Sequence, residues 1–160
     1  MITRLLWVAG TAAALLAAAL VVYLAPLGTD VVTLQLAFSP PNFGHVVHGW
    51  SPEQLQRYRQ HLPVAALVAL CYGAFGYLLA TRTGFFAGFG SVALRLARWS
   101  LPLAALCHVT MNALHGWLTA APRFGLELLY AGSAGLALSK WLLLIGFGVL
   151  VVRALLQRGD

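Results

Sequence analysis

The stretch 101–119 carries four residues whose types could do chemistry: His108, Met111, Asn112 and His115. Their offsets of three, four and seven place them on one face of a helix. Lys140 belongs with them. It lies about two turns into the last apolar stretch, at a depth near Asn112 and His115 if that stretch runs back antiparallel. Tyr72, in the middle of the second apolar stretch, is positioned to join from a neighbouring helix. Imidazoles in such a place could ligate haem or a metal, or hydrogen-bond a quinone carbonyl, with the lysine as a nearby cation. The alternative is an internal hydrogen-bond network, with Lys140 reaching back to the interface beside Trp141. Axial haem ligation across a bundle wants histidines on two facing helices, whereas His108 and His115 share one stretch.

A second set is His45 and His48, three residues apart and joined by His61. Together they could bind copper or zinc. No carboxylate or thiolate stands at a ligand spacing beside them, so a polar face on an interfacial helix serves equally well. The two cysteines, Cys71 and Cys107, sit inside apolar stretches and read as small packing residues rather than a disulfide or a metal pair. None of the four acidic residues lies in an apolar stretch. There is no Gly-x-Ser-x-Gly, phosphate loop or paired carboxylate. The sequence therefore predicts no enzyme, and no proton pump of the kind that buries Asp or Glu.

The elements that must position these residues are set by composition. Of 160 residues 61% are hydrophobic and 9% charged, with a mean hydropathy of +0.83. A water-soluble domain of this size could not bury so much apolar surface, but a bilayer solvates it. Four apolar stretches, about 5–24, 64–81, 101–119 and 134–152, each approach the ~20 residues a membrane-crossing helix needs. The first is longer than the ~7–15 apolar residues of a signal peptide and reads as a retained helix. The expected fold is all-α: a single domain, a four-helix transmembrane bundle with a small extracytoplasmic cap over 25–63.

Within that cap, residues 31–38 alternate, with Leu34, Leu36 and Phe38 opposite Thr33 and Gln35, which predicts a short extended segment. Ser39-Pro40 and Ser51-Pro52 are helix starts, the second a Ser-x-x-Gln capping box, and predict two short helices. Orientation follows from the arginines. Arg4, Arg82, Arg95, Arg98, Arg153 and Arg158 would share one side. Arg57, Arg59 and Arg123, offset by Asp30, Glu53 and Glu127, would share the other. The richer side should be cytoplasmic, giving N-in and C-in topology in a bacterial inner membrane. Trp7 and Trp99 then mark inner interfaces, and Tyr23, Trp117 and Tyr130 outer ones. The net charge of +6 is thereby absorbed by topology. No basic run interleaved with aromatics points to nucleic acid.

Small residues at helical spacing suggest close helix approach: Gly10, Ala14 and Ala18 on the first helix, Gly73 and Gly76 on the second, Gly135 and Ser139 on the fourth. The order of features resembles a group of small bacterial four-helix membrane proteins of uncharacterised function. The likeness rests on Leu-Gln-Leu-Ala-Phe-Ser at 34–39, on Trp50, on the Tyr72-Gly73 step, on Asn112 and on Lys140. Where that group carries acids, this chain has Ala65, His108 and Met111. The resemblance implies architecture and brings no activity.

Three functions are therefore expected in order. The first is a non-catalytic accessory subunit of a larger membrane assembly, such as a bioenergetic complex, with other integral membrane proteins and the lipid bilayer as partners. The second is a small redox or ligand-binding membrane protein using His108, Asn112, His115, Lys140 and Tyr72. It requires no cofactor as such, but has room for lipid, quinone or haem. The third is an extracytoplasmic metal-handling protein using His45 and His48.

Overall fold

The computed structural model describes residues 2–121, 123 and 125–157. Among them the chain is all-helical, with six α-helices and one 3-10 turn. Four are long: α1 (Ile2–Leu24), α4 (Pro52–Arg82), α5 (Ser91–Ala120) and α6 (Glu127–Leu156). Each is long and apolar enough to cross a membrane. Two short helices, α2 (Asp30–Gln35) and α3 (Pro40–Gly49), follow the 3-10 turn Ala25–Leu27. Arg158, placed on the arginine-rich side by sequence, lies outside the described residues.

Two local expectations are corrected. Residues 31–38 contain helix α2 rather than an extended segment, and no described residue is in a strand. Alternation over so short a stretch does not separate the two periods. Leu27, Val31 and Leu34 also recur at helical spacing, and all three join the core beneath α2 and α3. The second short helix is not separate either. Ser51 opens α4 itself, with its hydroxyl accepting from Gln54 N–H while the Gln54 side chain accepts from Ser51 N–H. From there the helix runs unbroken through Pro63 to Arg82. Proline removes one ladder bond, and the long apolar packing on both sides of it carries the helix across.

Strong packing runs in the order α1, α4, α5, α6. The contact between α4 and α5 is close because glycine allows it. A Cβ on Gly76 would stand 2.5 Å from Leu101 Cδ1, and one on Gly73 2.9 Å from Ala105 Cβ. Gly10 meets α4 the same way, at 2.7 Å from Phe75 Cδ2. By contrast, a Cβ on Gly135 would have no neighbour within 4 Å, and Ser139 is exposed, so that stripe faces outward.

The distribution of polarity is inverted relative to a water-soluble domain. Val22 is 75% and Leu128 88% exposed, whereas Lys140 is 2% exposed. Alanine is the commonest buried residue, a few polar side chains including Asn112, His61, His115 and Lys140 are buried beside it, and many Leu, Val and Trp side chains are exposed. At one end of the bundle α2 and α3 form a lid whose Leu34, Phe43, Val47 and Trp50 pack onto Tyr58, Leu118 and Tyr130. At the other end the loop after α4 folds Phe86 into a cluster with Leu101 and Phe147. That loop begins at Gly84, whose φ of +63° is a backbone conformation that favours glycine.

Candidate functional site

The polar residues of α5 meet the first turns of α4. Because α4 begins at Pro52, Tyr58, His61, Ala65, Ala69 and Tyr72 recur at helical spacing along it. The Tyr58 hydroxyl and His115 Nδ1 share a buried hydrogen bond. His61 Nδ1–H donates to the Tyr58 carbonyl. Asn112 donates through Nδ2 to the Leu62 carbonyl at 3.1 Å, next to Pro63. Phe43 of the lid stands edge-on to the His115 ring at 5.4 Å, and Trp50 lies 4.9 Å from Tyr58. The lid thus covers the imidazoles with aromatic edges and faces.

Lys140 enters from α6. Its ammonium donates to Gln35 Oε1 at 3.0 Å and lies 4.8 Å from the centre of the Trp141 ring. The glutamine belongs to α2, so the lid supplies the lysine's partner. That partner is neutral. Asp30, Glu53 and Glu127 are all exposed, and Asp30 is held by Trp50 Nε1 at 3.1 Å. Asn112 Oδ1 and Ser133 Oγ are buried with no partner among the described residues. A buried polar atom left unpaired costs about 1–3 kcal/mol.

His108 and Tyr72 sit deeper and form their own pair, with the Tyr72 hydroxyl 3.3 Å from His108 Nδ1 and the rings 22° from parallel. Met111 is buried. The residues singled out by sequence therefore divide in two. His115, Asn112 and Lys140 belong to a layer under the lid, and His108 with Tyr72 to a second layer further in. His45 and His48 are exposed on α3, whereas His61 is buried with Tyr58. Among the described residues no three His, Cys, Asp or Glu side chains are grouped to hold a metal ion.

Three members of the site escaped sequence reading: Gln35, Tyr58 and His61 as a partner of Tyr58. Gln35 falls in the misassigned segment. The signal for the other two was the capping box at Ser51, which opens one continuous helix and puts both residues in line with Tyr72. His61 on α4 and His115 on α5 do put imidazoles on two packed helices, both rings against Tyr58. Each holds a protein partner through Nδ1, which fixes the ring and leaves Nε2 as its second nitrogen. Comparison with protein-family models, curated proteins and solved structures finds no match.

Proposed function

We propose that this chain is a four-span protein of the bacterial inner membrane and a non-catalytic accessory subunit of a larger membrane assembly, such as a bioenergetic complex. The observation that carries the reading is the inverted polarity. Lys140, His61 and His115 are buried and His108 half-buried, while many large apolar side chains are exposed. In water that arrangement would leave the surface unsolvated. In lipid it is the economical one. The end opposite the lid carries Arg4, Arg82, Arg95, Arg98 and Arg153 with no acidic residue described beside them. At the lid end Arg57, Arg59 and Arg123 are offset by Asp30, Glu53 and Glu127. The charge asymmetry favours a cytoplasmic location for both termini and an extracytoplasmic lid.

The accessory role is supported by what the polar residues do. Tyr58, His61, Asn112, His115 and Lys140 each have a protein partner, which suits a structural network. A lateral surface suited to a partner helix is the face of α6 bearing Gly132, Gly135 and Ser139. Neither glycine there has a neighbour within 4 Å of a Cβ position. Helices associate in lipid through such small residues. Native mass spectrometry of the protein released from its own membranes in mild detergent tests the role. A mass matching a heteromeric complex, lost on Gly135→Leu, is expected. A lone chain from wild-type membranes contradicts it.

A further inference from the structure

The packing order leaves a cleft between the two outer members of the row. It measures about 670 Å³ and is walled by Gly10, Ala14 and Ala17 of α1, Val68 and Phe75 of α4, and Leu144 of α6. Trp7 lines one part of it. Its size falls in the range of about 300–1,000 Å³ usual for small-molecule sites. The wall is mostly apolar; Thr11 of α1 and Tyr72 also line it, and Tyr72 is tied to His108 behind.

That pair has a property fixed by proton counting. A tyrosine carries one O–H and a neutral imidazole one N–H. Their mutual bond uses one of the two, whichever way it points. Where the tyrosine donates, the donor left over is His108 Nε2–H, away from the cleft; where Nδ1–H donates to the tyrosine oxygen, it is the Tyr72 O–H, and Tyr72 lines the cleft. In the second tautomer the Tyr72 O–H is a donor held in that wall, and it fits a ligand that brings an acceptor, because an unmatched polar group there is costly.

Depth selects the ligand further. Tyr72 is ten residues from Arg82 along α4, or about 15 Å at 1.5 Å per residue. With Arg82 at the interface, that is the middle of a hydrocarbon core about 30 Å thick. A phospholipid cannot bring its charged headgroup there without a large desolvation cost. A neutral ring on an apolar tail can. No acidic or basic side chain lines the cleft, so nothing in it favours a charged ligand.

We infer that the α1–α6 cleft binds a lipid-soluble quinone, with a ring carbonyl accepting from the Tyr72 hydroxyl while His108 Nδ1–H donates to the tyrosine oxygen, and the apolar tail lying along Gly10, Ala14 and Ala17. The inference rests on the membrane placement proposed above. Carbonate extraction of membranes, which leaves only integral proteins behind, checks that placement separately. Decylubiquinone titrated into the intact protein in mild detergent, followed by tryptophan fluorescence, tests the site. Saturable quenching is expected, largely removed by Trp7→Phe, with affinity about tenfold weaker in Tyr72→Phe. It should be lost in the cleft-filling variants Ala14→Phe and Thr11→Phe, either of which serves if its circular dichroism matches wild type. Dodecanol, a tail without the ring, should compete poorly. Quenching that never saturates, an unchanged Tyr72→Phe affinity, or equal competition by dodecanol would each overturn the proposal.

Discussion

The two ends of the bundle are closed by opposite chemistry. Beneath the lid, Tyr58, His115, His61, Asn112, Gln35 and Lys140 are joined by directional hydrogen bonds inside an aromatic shell. At the far end Phe85, Phe86, Phe89 and Phe147 meet ring to ring around Leu101 and Ala97. Both ends are buried, and they differ in what burial demands. An aromatic cluster asks only for volume and shape, so a ring of similar size substitutes with little loss. A buried polar layer asks for every partner at once, because losing one strands another. The lid end is accordingly the more specific of the two.

The comparison can be broken from the apolar side first. Phe86→Ala should have the largest effect, about 3–5 kcal/mol of unfolding free energy, since the side chain is 1% exposed and its removal leaves a cavity. Denaturant titration in mixed micelles measures it, and a loss under 1 kcal/mol would show the cluster to be loosely filled. A sharper contrast comes from conservative changes at each end. Tyr58→Phe deletes one oxygen yet should cost about 1–3 kcal/mol by stranding His115 Nδ1. Phe86→Leu, which alters far more of its side chain, should cost less than about 1.5 kcal/mol if volume is what matters there. Equal losses in the same titration would erase the distinction. Smallest of all should be Arg153→Ala. Its guanidinium lies 5.3 Å from the centre of the Phe89 ring, an exposed contact worth about 0.5–1 kcal/mol. A thermal melt resolving a larger drop would mean that the arginine does more than cover the ring.

Legibility from sequence divides along the same line. The four long helices were readable because hydropathy integrates over many residues, and so were Gly73 and Gly76 as a point of close approach. The helix limits were read too short, at 64–81 for a helix that spans Pro52–Arg82. Hydropathy sees the apolar middle and is blind to the polar turns at either end. That blindness hid Tyr58, which lies in those turns. His108, Asn112, His115 and Lys140 were found because polar residues in apolar stretches stand out. Their partners were not, because Gln35 in a polar connection looks ordinary until the fold folds it inward. The division of the polar residues into two layers depends on the register between α4 and α5, which glycine contacts set and periodicity does not reveal.

The central claim is that the lid holds the buried lysine, and a double-mutant cycle on Gln35→Leu and Lys140→Leu tests it most directly. If their hydrogen bond at 3.0 Å closes the polar layer, unfolding in mixed micelles should show a coupling energy of about 1–3 kcal/mol. The double variant should then cost less than the sum of the two single variants, by that coupling energy. Strict additivity would contradict the account, leaving the lid as a cover that the lysine does not need.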